Sequence, residues 1–340
     1  MPMKKLVSLF GQHSALFDEL NQRAEAYAKE RDIEYIWAPQ ECYDASRVAQ
    51  LLRDADAGLV DVEPYGEDIF QKIHTRCKLL IRFGVGYDKV DLSAATKYGI
   101  CATRTSGANS MSVAEMALGM ILALRRQHRQ NRQVMESGVW KKPVGTETYG
   151  KVIGIWGFGA IGQRLAQLLK GFDCKVLACD PYPDKGRGME FGVEFVDLET
   201  LFTQCDAISI HAPYCAQTHH AVGKTLLEKM KADAVLVCTA RGNIVDEDAL
   251  YEALLQHRIA GAGLDVFGQE PLPASSKLLT LDNLILTPHV SSNTTEALMG
   301  TLRKAIDITT DFYAGRPLLS ADLLNPDYSE TATVIICNKQ

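Results

Sequence analysis

Short apolar runs alternate with amphipathic stretches in the first hundred residues of the chain. The runs Lys4–Phe10, Gly58–Val62 and Lys78–Phe83 predict strands, and Ala15–Glu30 and Ala45–Arg53 predict helices between them. Strands that alternate with helices form parallel sheets whose two faces are covered by those helices. The pattern therefore predicts a first α/β region.

A long helix is predicted to follow this region. The segment Ser112-Val113-Ala114-Glu115 has the capping-box pattern, which predicts a helix that begins at Ser112. Apolar residues recur at helical spacing as far as Leu124, and we expect the helix to continue into RRQHRQNRQ, which holds four arginines. These arginines could form a nucleic-acid patch, but a solvated helix end fits the acidic chain better.

A second α/β region begins at Lys151. Its helices include Val245–His257 and a last helix from about Asn293 to Tyr313. With the first region, it predicts an α/β protein with two doubly wound parallel sheets of the Rossmann-like or flavodoxin-like type. The predicted strands of the second region are Val152–Trp156, Lys175–Cys179, Ala207–His211, Ala234–Cys238, Ala260–Val266 and Asn283–Thr287.

Composition narrows the class of protein. A chain of 340 residues with 46% apolar content is typical of two domains with sizeable cores, and a net charge of −6 argues against a general nucleic-acid binder. The nine cysteines form no CxxC pair, so we expect neither a disulfide framework nor a metal site.

Apolar segments are short throughout. Leu6–Phe10 is shorter than the roughly 7–15 residues of a secretory apolar region, and Ala114–Leu124 is far shorter than the ~20 residues of a membrane span. We therefore expect a cytoplasmic protein with no membrane partner.

A glycine-rich turn follows the predicted strand Val152–Trp156. It reads Gly157-Phe158-Gly159-Ala160-Ile161-Gly162, and Asp180 ends the next strand. The three glycines allow the turn, the approach of a pyrophosphate and close helix packing, while the helix N-terminus supplies amide donors. Asp180 would bind the adenosine ribose hydroxyls and repel a 2′-phosphate, which favours NAD(H) over NADP.

The alternative for this turn is one without function, in which Asp180 only opens an Asp-Pro turn. Lys185 and Arg187 could instead meet a 2′-phosphate, although solvated loop charges are the simpler interpretation. The strand before the turn and the helix after it favour dinucleotide binding.

Three polar residues follow the last three predicted strands: Arg241, Glu270 and His289. Ligands of open α/β sheets bind outside the carboxyl ends of the strands. A guanidinium can grip a substrate carboxylate, and an imidazole can exchange a hydroxyl proton while an acidic neighbour orients it. The three residues predict hydride transfer between a nicotinamide and a 2-oxo or 2-hydroxy acid.

Each residue also has a structural alternative. Arg241 could pair with Asp246 or Glu247 at a helix entry, Glu270 could be a plain loop carboxylate, and His289 could be a structural histidine. Their coincidence beside a nucleotide-binding turn favours the catalytic interpretation.

From about Leu79 to about Pro317, the sequence resembles the D-isomer-specific 2-hydroxyacid dehydrogenases. The stretches that carry the resemblance are IRFGVGYDKVDL, NSMSVAEMALGMILALRR, GKVIGIWGFGAIG, CTARGNIVDEDAL, AGAGLDVFGQEPL and NLILTPHVSSNT. The resemblance implies that Arg241 binds the substrate carboxylate and carbonyl, that His289 is the acid/base, and that Glu270 pairs with His289. Formate dehydrogenases of this superfamily have glutamine in place of that glutamate, so Glu270 argues against a formate dehydrogenase.

The resemblance also implies further contacts. Backbone amides around Val85 and Gly86 would hold the substrate carboxylate. The sequence departs from the family at Cys238, where asparagine is frequent, and at Tyr149, where leucine is common. Cofactor contacts, including one from Asp265 to the nicotinamide carboxamide, would come from Gly157, Gly159, Ala160, Ile161, Gly162, Asp180, His211, Pro213, Thr239, Ala240 and Asp265.

Domain organisation follows from the same resemblance. It implies a discontinuous, flavodoxin-like substrate-binding domain of residues 1–104 and 293–340, an inserted NAD-binding Rossmann domain of residues 105–292, and a cleft between them. The helix from Ser112 forms dimer contacts in the family, so we expect a homodimer. The alternative for that helix is a place in the core of its own domain.

The substrate remains open at this point. Arg82 stands where phosphoglycerate dehydrogenases often have an arginine, which suggests a phosphorylated 2-hydroxy acid, but Arg82 could instead pair with Asp88 or Asp91. Glyoxylate and hydroxypyruvate are equally good candidates. A non-enzymatic alternative is an NAD(H)-sensing binding protein, because the C-terminal-binding-protein co-repressors also resemble this family.

Overall fold

The computed structural model describes residues 3–329, so Cys337 lies outside the described residues. The chain divides into two compact units. One unit comprises the described residues up to Asn109 and those from Thr294 onward, and the other runs from Ser110 to Asn293.

Twelve strands are present in the described residues, and all of their pairings within the two sheets are parallel. They are β1 (Lys4–Ser8), β2 (Ile33–Trp37), β3 (Ala57–Val60), β4 (Leu79–Arg82), β5 (Cys101–Arg104), β6 (Val152–Trp156), β7 (Lys175–Cys179), β8 (Val193–Phe195), β9 (Ala207–Ile210), β10 (Val235–Cys238), β11 (Gly261–Leu264) and β12 (Leu284–Leu286).

Twelve α-helices of the described residues connect and cover these strands. They are α1 (Ala15–Lys29), α2 (Ala45–Arg53), α3 (Glu67–Ile73), α4 (Leu92–Lys97), α5 (Ser110–Arg125), α6 (His128–Glu136), α7 (Ala160–Leu169), α8 (Lys185–Phe191), α9 (Leu198–Gln204), α10 (Lys224–Leu227), α11 (Glu247–Leu255) and α12 (Thr295–Tyr313). None of them is both long and apolar enough to cross a membrane.

The first unit is built on a five-stranded sheet in the order β2-β1-β3-β4-β5. One face is covered by α2 and α3 through Val48, Leu52 and Phe70, all of which are buried. On the other face, α1 and α12 pack together through buried residues that include Leu20 and Leu302. Burying such side chains contributes about 1.5–3 kcal/mol each, so α12 belongs to the core of this unit.

The second unit is built on a seven-stranded sheet in the order β12-β11-β10-β9-β6-β7-β8. The chain runs outward from β6 to β8 and then returns to β9 on the other side of β6. The strand order therefore reverses between β6 and β9, and ligands of doubly wound sheets bind at such switch points. Two all-parallel sheets with helices on both faces confirm the predicted fold class.

The predicted single helix across RRQHRQNRQ is wrong. Helix α5 begins at Ser110, two residues before Ser112, and ends at Arg125. Gln127 adopts a left-handed conformation, with φ of 52°, and separates α5 from α6. Ser112 is therefore an internal residue of α5 rather than its cap.

Arg125 is also not part of a solvated helix end. Its side chain is buried, and it donates hydrogen bonds to the carbonyl oxygens of Glu147 and Asp206 at 2.8–3.1 Å. Burial lowers the pKa of this guanidinium. A buried arginine needs such acceptors, because an unpaired charge is costly in the interior.

Candidate active site

The glycine-rich turn lies at the switch point of the second unit. Gly157 has φ of 96°, and a Cβ there would lie 2.5 Å from the amide nitrogen of Ala212. A Cβ on Gly162 would lie 2.3 Å from the carbonyl oxygen of Gly157, whereas the Cβ position of Gly159 has no atom within 4 Å. The turn thus packs tightly inward and is open outward, at the first-turn amides of α7. This cradle fits a pyrophosphate.

Asp180 follows β7 and is held against this turn. Its Oδ2 accepts a 2.7 Å hydrogen bond from the Phe158 amide, and its Oδ1 accepts one of 2.8 Å from the Tyr182 amide. The carboxylate is therefore fixed beside the cradle, as a ribose diol requires.

The two basic residues after Asp180 lie in a helix, not in a loop as expected. Lys185 and Arg187 belong to α8, and Arg187 Nη1 lies 2.7 Å from Glu190 Oε2. Arg187 is thus paired within its own helix, which leaves Asp180 as the charge beside the turn and fits NAD better than NADP.

The ends of β9 and β10 are joined by His211. Its Nε2 lies 2.9 Å from Ser209 Oγ, and its Nδ1 lies 3.3 Å from Thr239 Oγ1. Burial lowers the pKa of His211 to about 3, so the ring is neutral near pH 7. Pro213 follows in an exposed loop, and Thr239 and Ala240 form the turn after β10.

Arg241 lies directly after this turn in an extended conformation. Its Nη1 donates a 2.7 Å hydrogen bond to the carbonyl oxygen of Ala240. The Cys238 thiol donates to the carbonyl oxygen of Arg241 at 3.6 Å. Burial raises the pKa of Cys238 to about 11, so it stays a protonated donor. Cys238, where the sequence departs from the family, thus contacts the backbone of Arg241.

The carboxylates suggested as structural partners of Arg241 have other roles. Asp246 caps α11 by accepting hydrogen bonds from amides of its first turn, and Glu247 Oε1 accepts one of 2.7 Å from the Gly268 amide. A Cβ on Gly242 would lie only 1.9 Å from the carbonyl carbon of Phe267. The Arg241 loop therefore packs directly on the loop that leads to Glu270.

His289 and Glu270 form the closest pair of candidate catalytic groups. His289 Nδ1 lies 2.8 Å from Glu270 Oε2, and Glu270 Oε1 accepts a 2.9 Å hydrogen bond from the Phe267 amide. His289 Nε2 has no hydrogen-bond partner within residues 3–329, and the side chain is 44% exposed. An imidazole held at one nitrogen and open at the other can act as an acid or base.

Asp265 shapes the turn that carries His289. Its buried carboxylate accepts hydrogen bonds from Thr287 Oγ1 at 2.5 Å and from the amides of Val290 and Ser291, each at 2.9 Å. Its carbonyl oxygen accepts one from the His289 amide at 2.8 Å. These contacts give Asp265 a positioning role that the sequence did not suggest.

In the first unit, the loop after β4 presents two open backbone amides. The Gly84 amide donates to Thr105 Oγ1 at 2.7 Å, and Arg104 Nη1 donates to the carbonyl oxygen of Val85 at 3.4 Å. Across the part of the chain that the structure describes, the amides of Val85 and Gly86 have no acceptor. Two adjacent free amides suit an anion such as a carboxylate.

Arg82, the last residue of β4, lies against Asp61. Its Nη1 is 3.7 Å from Asp61 Oδ1. Asp91, one of the partners considered from the sequence, instead caps α4 by accepting a hydrogen bond from the Ala94 amide. The sequence did not indicate Asp61, because the predicted strand Gly58–Val62 ran past it.

Comparisons with known proteins identify the family. The family model "D-isomer specific 2-hydroxyacid dehydrogenase, NAD binding domain" matches residues 118–291. A glyoxylate reductase of Korarchaeum cryptofilum is 36% identical over 265 residues, which cover 76% of this chain and 79% of that protein. The chain belongs to the D-isomer-specific 2-hydroxyacid dehydrogenases. It is an NAD-dependent oxidoreductase of that family.

Two further relatives show the range of this family. A D-3-phosphoglycerate dehydrogenase of Archaeoglobus fulgidus is 41% identical over 222 residues, which cover 65% of this chain but only 42% of that longer protein. The solved structure of a D-2-hydroxyisocaproate dehydrogenase superposes with a TM-score of 0.81 at 28% identity, covering 92% of this chain and 97% of that one. The family and its fold are thus shown. Because the relatives are named for different substrates, the substrate of this chain must be inferred from its own residues.

Proposed function

We propose that this protein interconverts 2-oxoacids and D-2-hydroxyacids, with His289 as acid/base, Glu270 as its partner and Arg241 as the carboxylate-binding residue. The observation that carries the proposal is the 2.8 Å contact between His289 Nδ1 and Glu270 Oε2, which leaves Nε2 open. Bound NADH would supply the hydride that reaches C2 of the substrate. The leading substrates are glyoxylate, hydroxypyruvate and 3-phosphoglycerate.

His289 donates the proton in reduction and accepts it in oxidation. In reduction, His289 begins with both ring nitrogens protonated, and the Glu270 carboxylate accepts the Nδ1–H and stabilises the positive charge. Nε2 donates its proton to the oxygen on C2 as that oxygen becomes negative. In oxidation, the neutral imidazole takes the proton back through the same nitrogen. Arg241 holds the carboxylate and orients C2, in bidentate fashion where geometry allows.

The dinucleotide would be held by the second unit. Gly157, Gly159 and the first-turn amides of α7, from Ala160 through Ile161 to Gly162, would bind its pyrophosphate, and Asp180 would bind its ribose. Around the nicotinamide we place the residues at the ends of β9, β10 and β11, namely His211, Pro213, Thr239, Ala240 and Asp265. The first unit, with Arg82, Val85 and Gly86, would bind the substrate.

We also propose a homodimer, with a contact surface that differs from the one first expected. The apolar residues of α5, among them Val113, Met120 and Ile121, are buried in its own unit, where α5 packs on α7 and β10. A cluster of exposed apolar side chains begins at the end of α6 and continues after it, and Trp140 in this cluster is 78% exposed. We therefore place the contact on residues 135–144. Sedimentation of a Trp140→Ser variant should show a shift toward monomer.

The test is NADH consumption by the purified protein across a panel of 2-oxoacids. We expect turnover that falls roughly 10²–10⁴-fold in His289→Ala, while NADH binding, followed by fluorescence, is kept. Arg241→Ala should raise KM strongly, and His74→Ala, on a half-buried histidine outside the candidate site, serves as the control. Tight NADH binding without turnover on any 2-oxoacid would contradict the proposal and favour an NAD(H)-sensing role.

A further inference from the structure

Asp61 and Arg82 form an ion pair at the carboxyl edge of the five-stranded sheet. Strands β3 and β4 are paired so that Val60 lies opposite Arg82. Asp61, the residue after β3, therefore lies beside Arg82, the last residue of β4. Arg82 Nη1 lies 3.7 Å from Asp61 Oδ1, and the side chains are only 11% and 25% exposed. Neighbouring strands therefore bring opposite charges together in a largely buried place.

This ion pair borders the loop with the two open amides. The Cβ position of Gly84 lies 3.7 Å from Arg82 Nη1, so the guanidinium lies against the loop that presents Val85 and Gly86. In a 2-oxoacid only C2 separates the carboxylate carbon from C3. A carboxylate bound by this loop would thus bring the substituent on C3 close to the Asp61–Arg82 pair.

The charges of the pair decide which substituent is accepted. A phosphate ester carries about −1.5 to −2 charge near pH 7. The charge of Arg82 is already compensated by Asp61, and an incoming phosphate would face the Asp61 carboxylate at short range. A hydroxyl is both a donor and an acceptor, so it can donate to a carboxylate and accept from a guanidinium together.

We propose that the Asp61–Arg82 pair is a specificity determinant that selects a 2-oxoacid with a neutral hydroxyl on C3, hydroxypyruvate, against its phosphate ester. The inference rests on the proposed function and extends it from a reaction class to a substrate class. It gives Arg82 a role opposite to that of a phosphate-binding arginine. Asp61 acts as the residue that excludes the second anion.

The experiment measures kcat/KM for hydroxypyruvate and for 3-phosphohydroxypyruvate in the wild type and in Asp61→Asn. Asparagine keeps the size of the side chain and removes its charge. We expect the wild type to prefer hydroxypyruvate and the variant to raise the phosphorylated-to-unphosphorylated ratio about tenfold or more, mainly through KM, because a like charge has been removed. The matched control is Glu67→Gln, which breaks another ion pair of the same unit, with Lys97, and should leave the ratio unchanged.

Three outcomes separate the possibilities. A wild type that prefers 3-phosphohydroxypyruvate overturns the inference without any variant, and so does a folded Asp61→Asn protein with an unchanged ratio. If Asp61→Asn does not fold, competitive inhibition of the wild type decides: glycerate should inhibit more strongly than 3-phosphoglycerate, and the reverse order overturns the inference. Absence of turnover on every 2-oxoacid refutes the proposed function itself.

Discussion

The Ser291 amide donates a 2.9 Å hydrogen bond to Asp265 Oδ2, two residues beyond His289. This bond helps to hold a turn in which His289 has φ of 53°, a conformation that is uncommon for residues other than glycine. Glu270 fixes the imidazole at Nδ1, while Asp265 fixes the backbone from which it projects. Orientation of the candidate acid/base thus depends on two carboxylates with separate tasks.

Replacement of Asp265 by asparagine should lower kcat more than it raises KM. An asparagine amide nitrogen cannot accept from the backbone amides of the turn, so His289 loses its fixed position. We expect kcat to fall about tenfold or more and the free energy of unfolding to fall by about 1–3 kcal/mol. Steady-state kinetics and urea unfolding measure both quantities.

The control for this variant is Asp197→Ala, which removes the cap of α9 in the same unit. It should cost stability, about 0.5–2 kcal/mol, without a change in kcat. An Asp265→Asn protein with full kcat would show that the turn does not need this carboxylate.

Gly242 offers a test of the contact between the Arg241 loop and the Glu270 loop. A Cβ at this position would lie 1.9 Å from Phe267, within a backbone that cannot rotate away. Gly242→Ala should therefore destabilise the protein by about 1–3 kcal/mol or more, and turnover should fall because both loops move. Thermal unfolding measures the loss of stability, and steady-state kinetics measures the loss of turnover.

A matched glycine lies in α5. Gly119 is exposed and has no atom within 4 Å of its Cβ position. Gly119→Ala should raise stability by about 0.4–1 kcal/mol. Equal effects of the two substitutions would remove the steric argument for Gly242.

The sequence predicted the strands that are continuous apolar runs, and the structure confirms β6 and β7 to the residue. It missed β2, β5 and β8, which have five, four and three residues, because such short segments carry little periodicity. The break between α5 and α6 was also missed. It lies at Gln127, whose left-handed conformation no apolar periodicity predicts.

Candidate site residues at strand ends were predictable because parallel strands bring their carboxyl ends to one edge. Apart from the pairing of Glu270 with His289, the contacts that hold them in place were not predicted. Asp61 was hidden inside a predicted strand, and the roles of Asp265 and Cys238 depend on backbone atoms of neighbouring loops. Chemistry-bearing residue types are visible in a sequence, whereas their backbone acceptors and donors are defined only by the fold.

His211 makes the stability of the protein dependent on pH. Burial lowers its pKa from 6.5 to about 3, so the unfolded chain binds a proton between these values while the folded chain does not. The free energy of unfolding should therefore fall as pH drops from 6.5 toward 3. Between pH 7 and pH 4.5, we expect the free energy of unfolding of His211→Asn to fall by about 1–2 kcal/mol less than that of the wild type. This difference allows for partial exposure of the ring.

Urea unfolding at the two pH values measures this difference. His257→Asn, on an exposed histidine, is the control and should lose as much stability as the wild type. A His211→Asn protein with the same pH dependence as the wild type would show that folding does not lower the pKa of His211.

Among the cysteines within residues 3–329, Cys215 should react first when thiols of the native protein are alkylated. The Thr218 hydroxyl, 3.5 Å from Cys215 Sγ, lowers the pKa of this exposed thiol, whereas burial raises the pKa of Cys238 to about 11. Since the thiolate is the nucleophile, iodoacetamide near pH 7.5 should label Cys215 quickly and leave Cys238 unmodified, as mass spectrometry of tryptic peptides would show.

Thr218→Val should slow labelling of Cys215 severalfold but not that of the exposed Cys42. An unchanged Cys215 rate in this variant would mean that the hydroxyl does not stabilise the thiolate.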